Sequence, residues 1–170
     1  MNDTIYSQRL VLTQLSALDS DFIFELVNTP GWIKYIGDRH VTSKETAQAF
    51  VLSVMQNQNV NYWVVRLKIE NHPIGIISFV KRDYLEFSDV GFAFLPKYSN
   101  QGFAFEASQA FLNHLASIGQ HNRILATTIP DNTKSISLLK KLGFDFEKQI
   151  ENNGQELFIY SASISRFLLE

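Results

Sequence analysis

Apolar positions along this chain follow two rhythms, one close to two residues and one close to 3.6, and the changes between them mark the elements. Arg9 to Leu15 alternates as a first strand. Leu18, Phe22 and Leu26, with the offset pair Ile23 and Val27, trace one helical face behind a cap at Asp19 or Ser20, and Pro30-Gly31 stops it. Trp32 to His40 mixes aromatic, apolar and basic residues, as either a binding loop or a short helix folded over the core. Thr42 to Glu45 has the capping-box form, with Thr42 as cap and Glu45 answering it, ahead of a helix carrying Ala47, Phe50, Val51 and Val54. Tyr62–Leu67 and Ile74–Val80 are strands joined by the turn-rich Glu70 to Pro73, which predicts an antiparallel hairpin. Lys81 to Ser88 is a polar connection.

The stretch from Asp89 to Ser108 organises the rest. Val90 to Leu95 is an apolar run short enough for a buried strand, and Pro96, with no N–H to donate, ends it. Tyr98 to Gly102 is a tight polar turn. Beyond it Phe103, Ala107, Ala110, Phe111, His114, Leu115 and Ile118 recur at helical spacing. Strand, small-residue turn and helix together aim unpaired backbone N–H groups and a positive helix end at an anion, and the natural ligand is a phosphate. Arg123–Thr128 is another buried strand, and Thr133–Leu142 a short helix closed by Gly143. Phe144–Ile150 and Leu157–Ile164 form a closing hairpin across Asn152-Asn153-Gly154. The strand after the turn is reached through a helix, so it should run parallel to the one before it.

Composition narrows the function classes. At 170 residues, with 45% hydrophobic and 19% charged, the chain has the make-up of one globular domain spanning residues 1–170. Its 14 Phe predict an aromatic core. With no Cys there is no disulfide, thiolate catalysis or Cys-based zinc site, and a reducing, cytoplasmic setting is expected. A formal net charge of −2 gives no reason to expect nucleic-acid binding. No apolar run approaches the ~20 residues that span a bilayer, so no membrane partner is expected. The four His show no metal-ligand spacing, and no metal is expected.

Two local motifs in this order resemble the GCN5-related N-acetyltransferase (GNAT) superfamily, and within it the RimJ/RimL-type group. One is VGFAFLPKYSNQGFAFEA; the other is Asn132 to Ser135 leading to Lys141-Leu142-Gly143-Phe144. The resemblance implies an α/β (α+β) GNAT fold. In it a central mixed, mostly antiparallel sheet of about seven strands contains one splayed parallel pair and is flanked by about four helices. It implies an acyltransferase that uses acetyl-CoA as co-substrate and passes the acetyl group directly to a primary amine, on a protein N-terminus or a small metabolite. Backbone groups of Phe92, Ala93, Phe94 and Leu95 would pair with the pantetheine arm. The turn residues Ser99, Asn100, Gln101, Gly102, Phe103 and Ala104 would cup the pyrophosphate, with Asn132, Ser135 and Lys141 also on the coenzyme.

The same resemblance makes Asp89, Ser135 and Asn132 the catalytic candidates. Asp89 would take the amine's proton through a water, or is a solvated carboxylate at a strand entry. Ser135 would donate to the leaving thiolate, or is a first-turn helix residue. Asn132 caps the last helix and can also donate. The acceptor pocket would be walled by Trp32 to Arg39, Lys81 to Ser88 and the closing hairpin. The chain departs from the family where Ser99 replaces an Arg or Gln, Asn100 replaces a Gly, and Leu139 replaces the thiolate-protonating Tyr of many relatives. Asn tolerates positive φ, so the turn can still form. These departures motivate an alternative, an acyl-CoA-binding regulatory or scaffold domain without turnover; a donor longer than acetyl is a further possibility. Monomer and homodimer are both compatible, the latter through an exposed closing strand.

Overall fold

A computed structural model describes residues 4–168. One eight-stranded sheet runs through it in the order β1-β2-β3-β4-β5-β6-β8-β7. The strands are β1 (Ile5–Tyr6), β2 (Leu10–Gln14), β3 (Val60–Leu67), β4 (Pro73–Val80), β5 (Asp89–Phe94), β6 (Arg123–Thr128), β7 (Asp145–Asn152) and β8 (Gln155–Ser163). All neighbours are antiparallel except β5 and β6, which are parallel. The helices are α1 (Ser20–Val27), α2 (Pro30–Tyr35), α3 (Lys44–Gln56), α4 (Phe103–Ile118) and α5 (Thr133–Lys141). The strand and helix beyond the expected ones are both short, the two-residue β1 and the six-residue α2.

Alternation along the strands builds a core on each face of the sheet. Trp63, Val65 and Ile77 join one core with Phe111, Leu112 and Leu115 of α4. Val64 and Ile76, one residue out of phase, join the other with Ile23 and Leu26 of α1 and Val51 of α3. Gly75 sits opposite Phe94 in the β4–β5 ladder, and a Cβ there would lie 2.4 Å from the Phe94 ring. No other residue leaves room for that ring.

Several local expectations change, among them Leu18, which is exposed and lies before α1 instead of on its buried face. Pro30 begins a helix instead of ending one: it is the first residue of α2, where its missing N–H costs nothing, and Thr29 caps it. The capping box of α3 is set one residue later than expected, at Ser43 and Thr46, because the Thr46 hydroxyl takes the N–H groups of both Thr42 and Ser43. Asp19 turns back to the Ser16 N–H at 2.9 Å and pairs with Arg66, so it joins α1 to β3 instead of capping α1 with its side chain. At the end of the chain β8 is interior and β7 is the edge, so the open edge belongs to the first strand of the hairpin. Among the described residues, no helix is long and apolar enough to cross a membrane.

Candidate active site

The β5–β6 pair begins as a regular parallel ladder and then parts. Asp89 is registered with Leu125, whose N–H donates to the Ser88 carbonyl at 3.0 Å. The donor that would continue the ladder is two residues on, at Thr127. Its N–H goes instead to the Asp89 carboxylate at 2.8 Å, and its hydroxyl to the same carboxylate at 3.2 Å. The side chain of Asp89 thus stands in for a strand carbonyl at the point of divergence.

Across the gap, β5 presents unpaired backbone. The Leu95 N–H donates to the Ile74 carbonyl at 2.9 Å, on the β4 side. Peptide groups alternate in direction along a strand, so those of Phe92 and Phe94 face the gap. Phe92, Ala93 and Phe94 line the resulting cleft, whereas Leu95 is buried in the core beneath it. Between the strands and the last helix the cleft has a volume of about 760 Å³.

At one end of the cleft lies the turn into α4. Asn100 at φ 59° and Gly102 at φ 80° hold it in the left-handed region, one by tolerance and one by lack of a Cβ. Among the described residues, the backbone N–H groups of residues 100–105 engage no acceptor; the first amide that does is Glu106, to the Gly102 carbonyl at 3.0 Å. The Ser99 N–H is spent on the Pro96 carbonyl. Ser99, Asn100, Gly102, Phe103 and Ala104 line the cleft; Gln101 does not, its carbonyl and side-chain amide being tied to Arg9 and to the Lys97 carbonyl. An anion-sized concavity of outward amides at a helix N-terminus, beside a strand edge with free peptide groups, fits an extended molecule with a diphosphate at one end and amides along its arm.

The opposite wall is α5. The Asn132 side chain accepts from the Ser135 N–H at 3.2 Å, and both residues line the cleft where its two halves meet. Lys134 and Lys141 border the half beside the turn into α4, the latter 4.6 Å from the Phe105 ring centroid. Leu139 is buried in the apolar core with α4, so that position offers no proton.

Beyond Phe92 the cleft opens into a second chamber of about 410 Å³. Residues from all three expected walls border it: Trp32, Tyr35 and Arg39; Arg82 and Tyr84; and Asn152, Gln155 and Leu157. Asp89 lies at its floor, 2% exposed, so it is not a solvated carboxylate. Arg82 donates from Nε to it at 2.5 Å. Burial pushes the Asp89 carboxyl up from its ordinary value, against the Arg82 guanidinium and the Thr127 donors. Burial also works against charge on Arg82, but Asp89 outweighs it and keeps the guanidinium protonated.

Arg9, Tyr62, Arg82 and Thr127 were not singled out from the sequence. Arg9 braces the turn from β2: Nε meets Glu106 at 2.7 Å, a terminal nitrogen meets the Gln101 carbonyl at 3.1 Å, and the guanidinium lies 4.3 Å from the Phe103 ring centroid. The only local signal for this was Glu106 in the first turn of α4. Among the described residues no group of three or more acidic or His side chains could hold a metal ion.

Comparison with known proteins places the fold and the family. An uncharacterized N-acetyltransferase, YnaD, of Bacillus subtilis (strain 168) is 32% identical over 139 residues, covering 82% of this chain and 81% of its own. An acetyltransferase (GNAT family) from Bacillus anthracis superposes with a TM-score of 0.80 at 28% identity, covering 95% of this chain and 99% of that one. RimL, a ribosomal L7/L12 α-N-protein acetyltransferase in complex with coenzyme A, shares the fold with a TM-score of 0.82 at 19% identity, over 95% of this chain and 98% of its own. The acetyltransferase (GNAT) domain family matches residues 9–145, and the chain belongs to that family.

Proposed function

We propose that this N-acetyltransferase passes the acetyl group of acetyl-CoA directly to a primary amine, a protein N-terminal α-amine or a small amine metabolite, without an acyl-enzyme stage. The observation that carries the reading is the run of unengaged amides at residues 100–105, opening into the gap between β5 and β6. The coenzyme A bound to RimL, which has the same fold, supports it.

Acetyl-CoA supplies the activated acyl group. The amides of residues 100–105 and the positive end of α4 hold the diphosphate, a task that needs no Arg at Ser99 because backbone donors and the dipole supply the field. Lys134 and Lys141 add charge at the phosphate end. The outward peptide groups of Phe92 and Phe94 pair with amides of the pantetheine arm, and a strand N–H faces the carbonyl oxygen as negative charge develops there. Most of the acceleration is positional, since the arm and the amine are held on opposite sides of one opening.

The Ser135 hydroxyl donates to the departing sulfur, and Asn132 fixes the first turn of α5 that carries it. Among the described residues Asp89 is the one carboxylate lining either chamber, so the proton leaving the amine is relayed to it through water. Its burial makes it a stronger base than an exposed aspartate.

The test is a titration followed by an assay. At a hundredfold excess over Kd, acetyl-CoA should stabilise the protein by about 2.7 kcal/mol, a rise of several degrees in Tm. The Gly102 amide resonance should move, and thiol release on adding an amine panel should match acetylated amine one for one. An unmoved Tm and Gly102 signal would remove the coenzyme site; acetyl recovered on Ser135 would remove direct transfer.

A further inference from the structure

We propose, resting on the transferase reading above, that the acceptor is an amine whose own molecule carries a carboxylate, held by Arg39 with Arg82 beside it. The chamber beyond Phe92 is bordered by two guanidiniums, Arg39 and Arg82, and by a single carboxylate among the described residues, Asp89. The charge of that carboxylate is already balanced: it is buried, with Arg82 on one oxygen and the Thr127 N–H on the other. Arg39 has no such counter-charge. Its sequence neighbour Asp38 pairs with His40 at 3.4 Å, and no described carboxylate reaches Arg39. Arg39 is itself exposed, so the chamber carries one unneutralised positive charge at its solvent-facing rim, partly screened by water and salt.

Tyr62 and Tyr84 border the same chamber. Burial pushes the Tyr62 hydroxyl up, although Arg39 and Arg82 both act to lower it, and burial likewise raises Tyr84. Both stay protonated near neutrality and can donate. Guanidiniums and phenol hydroxyls make a donor set suited to a carboxylate, with Arg able to grip both oxygens at once. A polyamine would set its second ammonium against Arg39 with no free carboxylate to meet it. The positive field also suits the chemistry. It lowers the pKa of a bound ammonium, which eases release of its proton through water to Asp89 and leaves the amine nucleophilic.

The experiment measures thiol release from acetyl-CoA with acceptors that differ by one carboxylate: L-alanine against L-alanine amide, alanyl-alanine against alanyl-alanine amide, and spermidine. The acid of each pair should exceed its uncharged partner in kcat/KM by about tenfold, the discrimination that one charge-assisted bond supports, and spermidine should be poorest. The free amino acid and the dipeptide separate a metabolite from a peptide end. Arg39→Gln should erase the preference by raising KM for the acids at least about five times more than for the neutral amines, with the KM for acetyl-CoA, bound in the other half of the cleft, as the control. Turnover that is equal across each pair, or best with spermidine, overturns the assignment while leaving the transferase reading intact. Binding of acetyl-CoA without thiol release from any amine overturns the transferase reading, and the acceptor assignment with it.

Discussion

Replacing Glu106 by Gln isolates the brace beneath the turn proposed to hold the diphosphate. Glu106 Oε1 accepts from the Ser7 hydroxyl and from the Arg9 backbone N–H, each at 2.7 Å, and Oε2 accepts from Arg9 Nε at 2.7 Å. Gln keeps the shape and one oxygen, so the two contacts at Oε1 survive with neutral strength. At the other position an NH₂ would face the Arg9 Nε–H, donor against donor. Charge-assisted bonds contribute about 1.5–3 kcal/mol where water is excluded. The Glu106 side chain is 16% exposed and that of Arg9 44%, so the guanidinium's share is discounted for screening. A net loss of about 2 kcal/mol follows, or about 4–8 °C in Tm for a chain of this size. The Gln101 carbonyl also loses its anchor on Arg9, so KM for acetyl-CoA should rise about fivefold, the equivalent of one bond of ~1 kcal/mol, with kcat little changed.

The dependence on pH has a definite sign. Burial acts to raise the Glu106 carboxyl, but the Arg9 N–H, the Ser7 hydroxyl and the Arg9 guanidinium together hold it below its ordinary value. A depressed native pKa gives stability that is present above the unfolded value of about 4.3 and is lost as pH falls through the native one. Melting curves of both proteins should differ at pH 7.5 and converge in acid below about pH 4. Equal Tm and equal KM at pH 7.5, or a gap that persists undiminished in acid, would refute the account of the brace.

Two other substitutions probe different links. Ser108 is 1% exposed on α4 with no partner for its hydroxyl, so Ser108→Ala removes an unsatisfied group and improves helix propensity. It should gain about 1–2 kcal/mol in urea unfolding with activity unchanged. Asp89→Asn leaves Arg82 without a counter-ion and sets an amide against the Thr127 and Arg82 donors; with Arg82 36% exposed, the cost should be about 2–3 kcal/mol. Since burial raises Asp89, the acidic limb of the wild-type kcat/KM profile should lie above the range of an ordinary aspartate, and it should vanish in the Asn variant.

Much of the candidate site was legible in the sequence, because the half proposed to hold the coenzyme is local. The strand, the Pro96 stop, the turn and α4 are contiguous, and positive φ at Asn100 and Gly102 follows from residue type alone. The motif also placed Asn132 and Ser135 on the facing helix. Where the expectations slipped, by one residue at the cap of α3 and at Pro30, neighbouring residues could play the same part, and contacts chose between them.

The sequence by itself determined the order of the longer elements, the turn between β5 and α4 and the parallel pair, since period, turn chemistry and crossover handedness act over short spans of chain. Only the tertiary structure decided which side chains complete them. Asp89 meets Thr127 across 38 residues and Arg9 meets Glu106 across 97. Leu139 packs into the core, and Asp89 is buried against Arg82, leaving Arg39 as the unpaired charge that borders the chamber beyond Phe92. Charge balance in a cleft depends on burial and on distance in space, and a linear order of residues fixes neither.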